Sequence, residues 1–340
     1  MRLSAMGDVA MTVPVLRAFV KQYPAVKITV ISRPFFKPFF EGIPNISFFA
    51  FDEKERHKGF IGLLRLFQDL KRLHIDAFAD LHNVLRSKVV RTFFSLNGKK
   101  VASVDKGRAE KKALTQSENK IFKPLLTMFE RHVKVFSTLG FNIDLSKPEF
   151  PSKPVLSEEI VALIGEENKQ LIGIAPFAQY DSKVYPLDLM QEVITQLSAS
   201  RSFGTSYKIL LFGGGKKEIE ILNSLSTNKE NVITVAGKLK FQQELQLISN
   251  LDVMLSMDSG NAHIAAMLGV KVITLWGATH PFAGFSPFNQ PIENALVSDR
   301  NLFPKLPTSV YGNKKVEGYE NAMRTITPET IVEKITTSLK

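Results

Sequence analysis

The chain runs to 340 residues, with 44 Lys+Arg against 33 Asp+Glu for a formal net charge of +11, and it contains no cysteine. That length suggests two domains, and 44% apolar with 23% charged residues is the balance of a globular protein with buried cores, which excludes disorder and collagen-like chains. The missing cysteine excludes disulfide scaffolds, thiol nucleophiles and thiolate-held zinc. From the N-terminus, short β-rich apolar runs alternate with longer amphipathic stretches. The patterns predict strands at Lys27–Ser32, Ile46–Asp52, Ile75–Leu81 and Lys100–Val104, with helices near Val9–Tyr23, Gly59–Leu73, Val84–Ser95 and Phe122–Leu139. A repeating βα order predicts a parallel sheet covered on both faces. Between Phe141 and Leu156, Pro148, Pro151 and Pro154 deny a continuous helix, and this stretch reads as an interdomain linker. The alternation then restarts. Strands are predicted at Leu171–Ala175, Lys208–Phe212, Val232–Val235, Val253–Met257 and Val270–Leu275, with helices near Leu187–Ala199, Lys216–Leu225, Phe241–Ser249 and Asn261–Leu268. Pro328 opens a last amphipathic helix through Thr330–Leu339. The expected division is therefore residues 1–150, 151–327 and a C-terminal helix over 328–340.

The charge is unevenly spread. Residues Met1 to Phe150 hold 26 Lys+Arg and 14 Asp+Glu, a net of +12, and the rest of the chain nets −1. Such asymmetry suggests an anionic partner. Nucleic acid is a weak choice: Lys99–Lys134 carries ten Lys+Arg, yet aromatic residues are not interleaved with them and no recognition motif is present. Arg2, Asp8 and Arg17 interrupt the first twenty residues, and no stretch reaches the ~18 uncharged apolar residues of a membrane span. The expected compartment is the cytoplasm. The phenylalanine-rich Arg33–Phe40 could dip into a membrane interface, but a helix on the sheet or part of an acceptor pocket is the better expectation.

Open α/β domains bind ligands beyond the carboxyl ends of their strands, so the chemistry is sought there. Near the N-terminus Gly7 permits a tight turn, and Asp8 stands at a helix start, where a carboxylate serves either as a cap or as a general base. In the second half a strand ends in Asp258-Ser259-Gly260-Asn261-Ala262-His263 and runs into a helix of small residues. The unpaired N–H groups of such a helix start suit phosphate oxygens, Gly260 allows close approach, and His263 can add a donor. Lys183 lies in a loop after another strand, where its ammonium could meet a diphosphate. Gly213-Gly214-Gly215-Lys216-Lys217-Glu218 is not a P-loop, because Leu210 and Lys217 stand where Gly and Ser or Thr are required; Glu218 fits ribose recognition better. No dinucleotide, metalloprotease or serine-hydrolase motif occurs, and neither a cofactor nor a metal site is expected.

Together these positions resemble glycosyltransferase family 9, the ADP-heptose:lipopolysaccharide heptosyltransferases and their relatives. Arg2-Leu3-Ser4-Ala5-Met6-Gly7-Asp8 through Pro14 is similar to the family's R-x-S-x-x-G-D-x-x-x-T-x-P opening, and Asp80-Leu81-His82-Asn83-Val84-Leu85-Arg86-Ser87 to its acceptor-side stretch. Ile174-Ala175-Pro176 through Lys183-Val184-Tyr185-Pro186 is similar to H-P-G-A…K-x-W-P, and Asp258–Ala266 to D-[TS]-G-x-x-H-L-A-A. The resemblance implies a GT-B fold, two doubly wound Rossmann-like domains facing a central cleft, and inverting, metal-independent sugar transfer from a nucleotide diphosphate. It makes Asp8 the general base and Lys183 the cation that meets leaving-group charge. Asp258, Ser259, Gly260, His263 and Glu218 would bind the nucleotide sugar, and Gly7, His82, Asn83 and Arg86 the acceptor. The implied partners are an ADP-sugar and an anionic glycolipid, with room for peripheral contact with the inner membrane and none for nucleic acid. The chain departs from the family at Ala175, Phe177 and Tyr185, where His, Gly and Trp are usual, and only Met1-Arg2-Leu3 precede Ser4, so a very short or truncated first strand is expected. A scaffold that binds nucleotide sugar without transferring it is the alternative.

Overall fold

Residues 1–165, 169–199, 201–202 and 205–339 are described by the structure, a computed structural model. The chain divides into two compact units, the first formed by Met1–Gly107 and Leu126–Glu149, the second by Arg108–Leu125 and Phe150–Lys340.

The first unit opens with α1 (Met6–Ala10) and α2 (Thr12–Gln22), followed by β1 (Ile28–Ser32), β2 (Ile46–Ala50), α3 (Gly59–Lys71), β3 (Ala77–Asp80), α4 (Leu85–Leu96) and β4 (Lys100–Ser103). The chain then contributes α5 (Arg108–Thr115) to the second unit and returns with α6 (Met128–Thr138). The predicted strands all form, and β1 pairs with β2 and β3 with β4 in parallel. Met1–Leu3 joins the two pairs. The Met1 amine donates to Ala79 O at 2.7 Å and Leu81 N–H to Met1 O at 3.1 Å, while Arg2 N–H reaches Ile31 O at 3.1 Å. A cavity of about 800 Å³ lies between β1 and β3, walled by Phe19, Phe136, Leu139 and Phe141. Met1, Leu3, Ile31, Leu66, Phe78 and Phe94 belong to the core beside it.

The helix expected over Phe122–Leu139 starts only at Met128. Thr127 caps it: its hydroxyl accepts the Glu130 N–H, and the Glu130 carboxylate accepts the Thr127 N–H. Pro34–Phe40 forms a 3₁₀ helix that packs on β2, with Phe36, Phe39 and Phe40 buried, Phe40 against Phe48, and Phe35 exposed.

The second unit continues with α7 (Glu158–Ile164), β5 (Gln170–Ala175), α8 (Leu187–Ala199), β6 (Arg201–Ser202), β7 (Thr205–Leu211), α9 (Lys216–Ser226), β8 (Val232–Thr234) and α10 (Phe241–Ser249). After them come β9 (Val253–Met257), α11 (Gly260–Met267), β10 (Lys271–Trp276), β11 (Ala295–Val297) and α12 (Pro328–Ser338). The parallel sheet has the order β8-β7-β5-β9-β10-β11, and β6 lies antiparallel on β7. Numbered along the chain, the parallel strands read 3-2-1-4-5-6, the doubly wound order whose switch point falls between the first and fourth strands, here β5 and β9. Every residue of β9 is buried, as a strand covered on both faces requires. Gly173 of β5 sits where a Cβ would meet Leu251 Cδ1 at 2.5 Å, so glycine is what lets the segment before β9 close on β5. The C-terminal helix α12 starts at the Thr327 cap, with Pro328 in its first turn, and buries Ile331 and Ile335 in the cluster that includes Met190, Val193 and Ile194 of α8. Among the described residues no helix is long and apolar enough to cross a membrane.

Candidate functional site

At the switch point of the second unit the loops after β5 and β9 meet. Lys183 arrives on a 3₁₀ turn after β5, Asp258 directly follows β9, and Lys183 Nζ lies 3.0 Å from Asp258 Oδ2 with both side chains nearly buried. The same oxygen accepts the Thr279 hydroxyl at 2.9 Å from the loop after β10. The ammonium is thus held by a carboxylate that is itself fixed by a neighbouring strand end. Its aliphatic stem is fixed as well: Gly312, at φ +85°, sits where a Cβ would stand 2.5 Å from Lys183 Cδ, and Ser182 Oγ donates to Gly312 O at 2.6 Å. Gly277 lets the end of β10 come equally close, so that Ala278 N–H reaches Ser182 O at 3.0 Å.

Behind Asp258, Ser259 is the extended N-cap residue of α11 and Gly260 its first helical residue. The Ser259 hydroxyl lies 3.1 Å from Ser256 Oγ, turned back toward the strand. The first-turn N–H groups of α11 have no partners within the helix and carry the positive end of its dipole, a ready cradle for an anion. His263 is buried in this first turn. Glu218 stands in the first turn of α9, beyond β7, the strand next to β5, and its Oε2 accepts the Gly214 N–H at 2.8 Å. A Cβ at Gly213 would meet both Glu218 and Phe177 at 3.1 and 3.3 Å, so Phe177, which replaces the family's glycine, borders the Glu218 loop.

In the first unit, Gly7 does not form the expected turn. It lies inside α1, where its carbonyl accepts the Met11 N–H, because Ala5 rather than Gly7 is the extended residue that opens the helix. Asp8 is the third residue of α1, and its Oδ2 accepts the Ala5 N–H at 3.2 Å and pairs with Arg2 Nη2 at 2.5 Å. Arg2 is 7% exposed. The loop after β3 is built on Asp80, whose Oδ1 accepts the N–H groups of His82 and Asn83 at 3.0 and 2.7 Å, while its Oδ2 takes Arg91 at 3.1 Å. Asn83 adopts the left-handed conformation, φ +47°, and ties the loop to β4 through its amide on Val104 O. His82 Nδ1 accepts the Leu3 N–H, which places the ring proton on Nε2. Burial first, then the positive charges of Arg2 and Lys106, pushes its pKa down to about 4, so the ring is a neutral donor at pH 7.

The sequence-derived positions thus fall into two groups. Lys183, Asp258, Ser259, Gly260 and His263 converge at the switch point, with Glu218 after the neighbouring β7. Gly7, Asp8, His82 and Asn83 gather at the end of Met1–Leu3 and β3. Arg86 stands apart: it is exposed and pairs with Glu53, which also holds Arg33. Thr279, Gly312 and the role of Arg2 were not found from sequence. For Thr279 the available signal was its position in Trp276-Gly277-Ala278-Thr279, immediately after a buried strand.

Comparison with known proteins assigns the chain to a family. Residues 63–312 match the family model "Glycosyltransferase family 9 (heptosyltransferase)". The chain is 26% identical to the lipopolysaccharide core heptosyltransferase OpsX of Haemophilus influenzae, over 98% of this chain and 94% of that protein. Among solved structures, it resembles a family 9 glycosyl transferase from Veillonella parvula, with a TM-score of 0.74 at 20% identity over 99% of this chain and 95% of that one. It also resembles E. coli heptosyltransferase WaaC with ADP, with a TM-score of 0.68 at 17% identity over 99% and 98%. These likenesses carry the expected α/β, GT-B fold class.

Proposed function

The chain belongs to glycosyltransferase family 9, and from that premise we propose that it moves a heptose or related sugar from ADP-heptose to a lipopolysaccharide-core or similar anionic glycolipid acceptor. The observation that carries this reading is the Lys183–Asp258–Thr279 cluster at the head of α11, at the sheet's switch point. An ADP-sugar breaks at the anomeric carbon, and negative charge develops on the departing diphosphate. Preorganised N–H donors at the start of α11 and the fixed Lys183 ammonium meet that charge as it forms. This is the metal-independent mode, in which the protein's own dipoles and cation stabilise the leaving group. Asp258 has a supporting part: it orients Lys183. Glu218 would contact the ribose and His263 the diphosphate.

At the acceptor, the Asp8 carboxylate takes the proton of the attacking hydroxyl, help typically worth 10²–10⁴-fold. Attack opposite the departing diphosphate inverts the anomeric carbon. The neutral His82 can donate its Nε2–H to an acceptor oxygen, and Asn83 lies beside it. Arg86, exposed with Glu53, would meet acidic groups of the glycolipid at the surface. The names of the relatives, a lipopolysaccharide core heptosyltransferase and a heptosyltransferase with ADP, support the sugar and the nucleotide. We place the reaction in the cytoplasm, with peripheral contact at the cytoplasmic face of the inner membrane.

Calorimetry with ADP and UDP, followed by an assay with ADP-heptose and an inner-core acceptor, tests this reading. ADP binding and sugar transfer that is lost in Asp8→Ala support it. Binding without transfer would instead mark an accessory scaffold, and failure to bind either nucleotide would remove the donor-site assignments.

A further inference from the structure

The Arg2 side chain is nearly inaccessible, yet it carries a permanent charge, and burying a charge is expensive unless every donor is used. The structure gives each of the three guanidinium nitrogens a partner. Nε donates to Ser4 O and Nη1 to Leu81 O, both at 2.8 Å, and Nη2 pairs with Asp8 Oδ2 at 2.5 Å. Two edges of the guanidinium are therefore anchored on main chain, one on the segment leading into α1 and one at the end of β3. The third edge presents a fixed cation to Asp8. A planar fork held this way dictates both where the carboxylate lies and which of its oxygens faces inward.

We infer that Arg2 is the positioning residue for Asp8: it sets the carboxylate's orientation toward the acceptor hydroxyl and keeps it ionised. This rests on the reading of Asp8 as the general base. Other titratable groups near the pair include Asp80 at the end of β3, His82 after it, Lys106 after β4, His132 on α6 and the Met1 amine. His82 and His132 are held at about 4 and about 3, burial being the main cause in each, and they stay uncharged through the range where an enzyme of this kind is assayed. Burial also lowers the Met1 amine, to about 6. Arg2 is a cation paired directly with Asp8 that keeps its charge where these histidines are neutral. Removing it withdraws the attraction that favours the carboxylate, so protonated Asp8 persists to higher pH.

The test compares Arg2→Met, Arg2→Lys and Asp8→Asn with wild type in an assay with ADP-heptose and an inner-core acceptor. ADP affinity is measured in each as a check on the second unit, and thermal melting as a check on folding. In Arg2→Met the acid limb of the kcat/KM profile is expected to move up by about one pH unit. In Arg2→Lys, which keeps charge but loses the fork, kcat is expected to fall at least tenfold with KM for ADP-heptose unchanged. An acid limb that stays put in Arg2→Met overturns the inference. If that variant does not fold, Arg2→Lys decides, and a wild-type kcat there overturns it. An active Asp8→Asn overturns the base reading itself. An inactive Asp8→Asn with an unmoved limb in Arg2→Met overturns only the positioning role.

Discussion

Lys183 and Asp258 form an ion pair almost out of contact with water, with the Thr279 hydroxyl as a second partner of the carboxylate. Removing one member of such a pair leaves the other buried without its countercharge, which costs about 3–5 kcal/mol, whereas replacing both together is often close to neutral. Lys183→Met is accordingly expected to lower stability by about 3 kcal/mol in chemical denaturation, and Lys183→Met/Asp258→Leu to recover most of that loss. Catalysis should respond differently, because the double variant restores no cation: turnover is expected to stay down on the order of 10²-fold in both. A double variant that regains turnover along with stability would make the lysine purely structural. His132 presents the reverse situation. It is fully buried on α6, neither ring nitrogen has a hydrogen-bond partner among the described residues, and burial above all lowers its pKa to about 3. Since its folded pKa lies below the unfolded value of 6.5, the unfolded chain binds the extra proton between those limits, and stability falls as pH drops through that window. His132→Leu removes both an unsatisfied polar ring and this proton uptake. It is expected to raise the melting temperature slightly at pH 7 and more at pH 5, and equal shifts at the two pH values would contradict this origin.

Much of the architecture was legible from sequence because the strands of the second unit are buried on both faces and therefore read as continuous apolar runs; β5, β9 and β10 begin and end within a residue or so of expectation. The helix start at Asp258–His263 was legible for a related reason: glycine and alanine after a buried strand leave few alternatives to a strand-to-helix junction. Other features were hidden. The three-residue β11 is too short to show periodicity, and Thr279 and Gly312 owe their places to loops brought together only by folding. Phe122 looked like the start of a helix, but Pro124 and the Thr127 cap delay α6 to Met128, and Phe122 instead packs against His280 and Phe282 in the second unit. The role of Arg2 depends on Leu81, whose contact with it spans almost eighty residues. A very short or truncated strand was expected at Met1–Leu3, and this segment bonds to Ile31 of β1 and to Ala79 of β3.

Charge looks different once the units are drawn by contact rather than by position along the chain. Read in order, the first 150 residues carry +12 and the remainder −1. The segment Arg108–Leu125, with five Lys+Arg and two Asp+Glu, belongs to the second unit, so the balance becomes +9 for the first unit and +2 for the second. The excess remains on the unit that holds Asp8, His82 and Asn83, but the second unit is not acidic. Some of its added cations are engaged there: Lys120 donates to Leu114 O and Pro307 O, and Lys111 lies over the Phe285 ring. A net charge of +9 spread over an exposed surface attracts an acidic glycolipid through solvent, where the Debye length shrinks from about 10 Å at 0.1 M salt to about 3 Å at 1 M. A diphosphate seated against Lys183 and the head of α11 would be held by nearly buried groups, which salt screens far less. Raising salt from 50 to 500 mM is therefore expected to increase KM for the anionic acceptor several-fold while changing ADP affinity less than twofold. Exchanging the acceptor for a neutral analogue should remove the salt effect on its KM. An acceptor KM that ignores salt, or an ADP affinity that falls in parallel with it, would detach the basic surface from acceptor capture and leave its charge without a part in the reaction.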